Sequence, residues 1–203
     1  MERARLGLLA LTCAASHVAG AVSGDLASRL DPQQAPKLVR PALVADRAER
    51  QTFTRELIRL EWRKGDPINA YLILPKGVRN PRVAIMLYGF PSDLPRWPDD
   101  APSSRLATQG IAAQSSDSAV QGDRDRGRPM REWFVTEMRE ALSLTVQDIF
   151  AAIQYLRSRP DLDAAGVGLF GQGSAGAVAL VAAARDRRVV AVDTLNPWGA
   201  WPE

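Results

Sequence analysis

Hydrophobic and polar positions along the chain follow patterns that predict strands and helices in turn. Residues 52–62 and 68–75 are rich in strand-forming side chains with apolar positions at even spacing, and Lys64-Gly-Asp-Pro67 between them indicates a turn. The two segments therefore predict an antiparallel hairpin. Residues 82–88 form a continuous apolar run, which is typical of a strand buried on both faces.

The rest of the pattern predicts an α/β domain with a mostly parallel sheet and helices on both of its faces, because strands alternate with helices. The longest predicted helix spans 131–159, ends before Pro160 and carries the apolar stripe Ile149, Ile153 and Leu156. The other predicted elements are helices at 101–109 and 177–185, and strands at 111–114, at 189–193 and starting at Val167.

The N-terminus has the pattern of an export signal. Glu2-Arg-Ala-Arg5 is a positively charged start, residues 6–15 are apolar but too short to span a membrane, and Ala19-Gly-Ala21 has the small residues of a cleavage site. We therefore expect a signal peptide over 1–21, an exported (periplasmic or secreted) protein and no stable membrane insertion after cleavage; an ordinary hydrophobic helix is the alternative. Residues 22–50 predict an extended arm, and residues 51–203 the domain.

The composition of the chain argues against several kinds of partner and reaction. The 203 residues carry a net charge of only +3 with both signs mixed, which argues against a nucleic-acid partner. Cys13 and His17 are the only cysteine and histidine, and both lie in the predicted signal peptide. The mature chain would then have no thiol chemistry, and we expect neither a metal site nor a cofactor.

The segment from Val167 to Leu180 concentrates the candidate chemistry, because a strand meets a glycine-rich turn that opens into a helix. Gly171-Gln-Gly-Ser-Ala-Gly176 matches the Gly-x-Gly-x-x-Gly pattern of dinucleotide-binding Rossmann domains, with Asp193 near the place of the ribose-binding acid. The same segment is also compatible with the nucleophile elbow of a serine hydrolase, with Ser174 as the nucleophile.

A family resemblance favours the second interpretation. Tyr71-Leu-Ile-Leu-Pro-Lys-Gly77 is followed by the strand from Val83, and Leu87-Tyr-Gly-Phe-Pro91 is similar to a His-Gly-x-Pro oxyanion turn with Tyr88 in place of the histidine. In this order, the motifs resemble secreted α/β-hydrolases of the xylan-esterase-like and dienelactone-hydrolase-like kind, in an uncharacterised bacterial branch.

The resemblance implies a serine hydrolase that acts, without a cofactor, on an ester bond of a carbohydrate or small acyl substrate. It implies Ser174 as the nucleophile and the backbone N–H groups of Phe90 and Ala175 as oxyanion donors. The elbow itself would be shaped by the glycines Gly171, Gly173 and Gly176.

Two alignments of the elbow remain open. The Gly-x-Ser-x-Gly pattern centred on Ser174 requires a glycine where this chain has Gln172. If Gly171 is the leading glycine instead, strand and helix align better with the family, but the nucleophile position becomes Gly173, which has no side chain. A catalytically silent binding protein with the same fold is therefore an alternative to the hydrolase.

A second difficulty concerns the catalytic base, since no histidine follows His17. In hydrolases of this kind the acid and the histidine follow the serine, so we expect the last strands to lie beyond Glu203. Asp193 is expected to be structural.

A dinucleotide-binding Rossmann protein is the second alternative, disfavoured because little chain follows the fingerprint. Residues 122–128 are expected to form a solvated loop with local ion pairs.

Overall fold

The computed structural model describes residues 37–89, 100–119, 124 and 130–197, and it contains seven strands and three helices in those ranges. The strands are β1 Leu43–Glu49, β2 Phe53–Arg63, β3 Asp66–Pro75, β4 Arg82–Leu87, β5 Ala112–Ser116, β6 Asp163–Gln172 and β7 Val189–Leu195. The helices are α1 Asp100–Thr108, α2 Met130–Ser158 and α3 Ser174–Arg185. None of the helices in the described ranges is long and apolar enough to cross a membrane.

All seven strands form one sheet in the order β1-β2-β3-β5-β4-β6-β7. The pairs β4/β5, β4/β6 and β6/β7 are parallel, whereas β1/β2, β2/β3 and β3/β5 are antiparallel. The predicted hairpin is confirmed, but the expectation of a mostly parallel sheet is corrected to a mixed sheet. The tight β2–β3 turn requires antiparallel pairing, and β1, inside the segment expected to be an arm, adds another antiparallel neighbour.

Helices cover both faces of the sheet, as expected. One face carries the larger core, where Ile58, Leu72 and Ile85 of the sheet pack with side chains of α2 and α3. The other face carries a smaller cluster in which Phe53 and Ile73 pack with residues of α1. The predicted stripe of α2 is confirmed, because Ile149, Ile153 and Leu156 are all buried in the larger core.

The direction of the central strands decides where a site can form. Strands β4, β5 and β6 are adjacent and parallel, so their carboxyl ends lie at one edge of the sheet. That edge therefore receives Tyr88 after β4, Asp117 after β5 and Gly173 after β6. Open α/β sheets bind ligands in crevices outside the carboxyl ends of their strands.

Helix α3 lies very close to the strand that precedes it. A Cβ atom placed on Gly171 would lie 2.5 Å from the carbonyl oxygen of Ala175 and 2.7 Å from Cα of Gly176. Both neighbours are backbone atoms, which cannot move aside without moving the helix. Glycine at position 171 is therefore a condition for the packing of α3 on β6.

We expect Gly171→Ala to lower the free energy of unfolding by about 1–3 kcal/mol or more, because the methyl group overpacks a backbone contact. Gly168→Ala is a matched control in the same strand, since its Cβ would meet Ala84 Cβ at 3.7 Å, an ordinary contact. Urea unfolding of the two variants measures the difference. Equal effects of both substitutions would show that α3 does not need the glycine at 171.

Candidate functional site

The corner between β6 and α3 consists of a single residue, Gly173. Its backbone has φ 60° and ψ −128°, a region of positive φ that favours glycine. The N–H of Gly173 donates to the carbonyl oxygen of Leu195 at 2.9 Å, and its own carbonyl accepts from the N–H of Gly176 at 3.0 Å. The corner is thus held from β7 on one side and from α3 on the other.

The backbone conformation of Gly173 distinguishes the two alignments of the elbow. The residue at the turn itself is Gly173, whereas Ser174 is already the first residue of α3. Ser174 is only 1% exposed, so its side chain lies inside the protein. The described structure therefore places a residue without a side chain at the position from which an elbow nucleophile would project.

The turn after β4 lies directly against this corner. A Cβ atom placed on Gly89 would lie 3.1 Å from the carbonyl oxygen of Gln172 and 3.5 Å from Oγ of Ser174. The turn after β4 and the glycine-rich corner after β6 are therefore brought together in space. Phe90 lies outside the described residues, and Ala175, the second residue of α3, is buried beside the corner.

The described residues leave space beside the corner. Among them, a Cβ atom placed on Gly173 would come within 4 Å of one atom only, Cα of Gly89 at 3.9 Å. The constraint that they place on position 173 is therefore its positive φ, which favours glycine.

A small cavity of about 10 Å³ lies at the same edge of the sheet, which is about the volume that one water molecule requires. Its wall includes Ala175 of α3 and Tyr88 after β4. The apolar part of the wall comes from Leu87, Ile149 and Val178, and the polar part from Ser116, Asp117, Ser118 and Thr145. The cavity can hold a water-sized group.

A buried ion-pair network supports this edge from the α2 side. Arg124, whose side chain is only 3% exposed, donates to both carboxylate oxygens of Asp66 at 2.9 Å and to Oδ2 of Asp148 at 2.6 Å. Trp62 Nε1 donates to Oδ1 of Asp148 at 2.7 Å. The expectation of a solvated loop at 122–128 is therefore wrong for Arg124, because its side chain is buried and paired with the carboxylates of Asp66 and Asp148.

Burial and ion pairing shift the pKa values of Asp148 and Arg124 in opposite directions. Burial raises the pKa of Asp148, while Arg124 and the indole N–H of Trp62 lower it in part. Burial likewise opposes the charge of Arg124, but Asp148 and Asp66 together raise the pKa of its guanidinium above the ordinary value. A charged Arg124 is thus retained inside the protein at any pH at which the fold is stable.

Sequence reasoning missed this network, although one signal was available. Asp148 stands in α2 between apolar residues that face the core, beside Ile149 and Phe150. A charged side chain within an apolar stripe indicates a buried partner of opposite charge. The identity of that partner was not predictable, because Arg124 lies 24 residues away in a loop.

Of the two candidate acids, Asp117 lines the cavity beside Ala175, whereas Asp193 does not. Asp193 lies within β7, pairs with Phe170 in register and is exposed. Asp117 is buried, and its N–H donates to the carbonyl oxygen of Asn69 at 3.0 Å. Within the described ranges, no group of three or more His, Cys, Asp and Glu side chains could hold a metal ion.

Comparison with known proteins defines the class of fold. No protein-family model matches the chain, and no curated protein matches it by sequence. Among solved structures it is similar to acetyl xylan esterase 1 from Thermoanaerobacterium sp. JW/SL YS485, with a TM-score of 0.64 and 18% identity over 83% of this chain and 57% of that one. The fold is thus that of the α/β-hydrolase class.

Two further solved structures agree with this class. An acetyl xylan esterase from Paenibacillus sp. R4 is similar with a TM-score of 0.63 and 23% identity, over 83% of this chain and 56% of that one. A glucuronoyl esterase from Solibacter usitatus is similar with a TM-score of 0.54 and 17% identity, over 84% of this chain and 57% of that one. The chain spans less than two thirds of the length of each of these esterases.

We expect Arg124→Met to lower the free energy of unfolding by about 3–5 kcal/mol, because it removes the guanidinium that pairs with the buried carboxylate of Asp148. Arg40→Met is the matched control, since Arg40 is 71% exposed and pairs with Glu61 at the surface. Urea unfolding measures both variants. A loss in Arg124→Met no larger than in the control would contradict a structural role for the buried pair.

Proposed function

We propose that this chain belongs to a protein that binds an ester of a carbohydrate or another small acyl compound at the carboxyl edge of its sheet. The fold class supports this, because the similar solved structures are esterases. The edge also brings together the turn after β4, the corner at Gly173 and the first residues of α3. Backbone N–H groups at a helix N-terminus favour the carbonyl oxygen of an ester.

The geometry of the corner supports binding without serine catalysis better than it supports hydrolysis. The observation that carries this conclusion is Gly173, which occupies the turn and has no group that could attack a carbonyl carbon. Ser174, one residue later, is buried inside α3.

Hydrolysis by Ser174 is the second candidate, and a specific contact favours it. The hydroxyl of Ser174 lies beside Gly89, in the turn that precedes the oxyanion candidate Phe90, and Ala175 N–H follows as the second donor candidate. In this reaction Oγ attacks the ester carbonyl carbon, the alcohol leaves, and water then releases the acid from the acyl-serine. The step requires movement of the corner that exposes Ser174, and a base that accepts its proton.

A fluorophosphonate probe on the full-length protein separates the two candidates. We expect no labelling of the folded wild-type protein above the level of Ser174→Ala, because a buried hydroxyl is not accessible to the probe. The matched control is Ser158→Ala, at the far end of α2, where Oγ donates to the carbonyl oxygen of Tyr155. Labelling that persists in Ser158→Ala but disappears in Ser174→Ala would assign Ser174 as a nucleophile.

Binding itself is tested on the same samples with an acetylated xylo-oligosaccharide. We expect saturable changes in the amide NMR signals of Gly89, Gly173 and Ala175, with no release of acetate. Acetate release by the wild-type protein and not by Ser174→Ala supports hydrolysis instead. Unchanged signals at all three amides with a folded protein would refute the proposed ligand class.

A further inference from the structure

One polar group in the wall of the small cavity beside Ala175 has no hydrogen-bond partner among the described residues. The hydroxyl of Ser118, which lines the cavity, is buried and has no hydrogen-bond partner among the residues that the structure describes. A buried hydroxyl without a partner is costly, and such groups in native proteins commonly bind an ordered water or a ligand. The cavity next to it has the volume for such a group.

The hydroxyl of Thr145, which also lines the cavity, can accept a further hydrogen bond. Oγ1 of Thr145 donates to the carbonyl oxygen of Ala141 at 2.8 Å and accepts from the N–H of Ala119 at 3.4 Å. A hydroxyl oxygen has two acceptor positions, so one of them is left for a donor in the cavity. Ser118 and Thr145 together therefore provide the two or more polar partners that a buried water needs.

Strand β5 continues this polar character into the core. Gln114 is completely buried on the same side of the strand as Ser116, and neither amide atom has a hydrogen-bond partner within the described ranges. Its register partners Ile85 and Leu72 belong to the apolar core, so the amide lies among apolar side chains. Polar groups thus continue from Gln114 through Ser116, which lines the cavity.

We propose that the cavity is a binding site for one hydroxyl group, held by Ser118 and Thr145. In the free protein a water molecule fills the site, and a sugar hydroxyl of the bound ester replaces it. The first part of the proposal, that water fills the site in the free protein (the water part), rests on the cavity alone. The second part, that a sugar hydroxyl replaces this water (the sugar part), rests on the proposed function.

The water part is tested by NMR transfer of magnetisation from water to the methyl groups of Thr145 and Ala175 in the full-length protein. We expect transfer in the wild type and its loss in Ser118→Ala, together with an unfolding temperature lower by about 2–4 °C. Ser103→Ala is the matched control, because Ser103 of α1 is also buried without a described partner for its hydroxyl, but does not line the cavity.

For Ser103→Ala we expect unchanged transfer and no loss of stability. Absence of transfer in the wild type means that the cavity is dry, and it overturns the proposal. Equal transfer in the wild type and in Ser118→Ala overturns the role of the Ser118 hydroxyl.

The sugar part is tested by adding xylose to the wild-type protein. Loss of the water signal, together with shifts of the Ala175 and Gly89 amides, supports replacement of the water by a sugar hydroxyl. Shifts of those amides with the water signal retained overturn replacement. If no amide shifts, the sugar part fails together with the proposed ligand class, and the water experiment alone decides the site.

Discussion

The close approach of α3 to β6 is the constraint on which the candidate site depends. The space between them admits no Cβ atom at Gly171, and on the opposite side a Cβ on Gly176 would lie 2.8 Å from Cβ of Pro197. A helix that starts this close to the end of its strand requires a reversal within one residue, and Gly173 provides it with positive φ. The first turn of α3 is thereby placed against the turn after β4, and both lie at the carboxyl edge of the parallel strands.

The same constraint explains why one sequence segment matched two motifs. Both a dinucleotide-binding turn and a nucleophile elbow need a strand, an abrupt reversal and a closely packed helix, so both select small residues at similar spacing. The glycine pattern therefore indicates this packing and does not identify a particular ligand; it runs Gly171-Gln-Gly-Ser-Ala-Gly176. The sheet separates the classes, because its mixed order and its similarity to solved esterases support the α/β-hydrolase arrangement.

Local patterns were predictable from the sequence, whereas contacts between distant residues were not. The hairpin of β2 and β3 and the stripe of α2 follow from side-chain periodicity within one segment, and both are found. The pairing of β1 with β2, which helps to make the sheet mixed, depends on a partner strand that periodicity does not identify. The contact between Trp62 and Asp148 joins residues 86 positions apart, and the cavity at Ser118 exists only where two strands and two helices meet.

The proposed binding does not require a hydroxyl group at the corner. An oxyanion-type site depends on backbone N–H groups and the helix field, which belong to the packing of α3 and not to the side chain at position 173. Replacing a serine by glycine there would remove the attacking atom and leave those donors in place. The buried network of Arg124 lies in the same region, where it joins the chain after β5 to β3 and to α2. The proposed binding of an ester without cleavage therefore rests on backbone donors whose positions follow from the packing of α3 on β6.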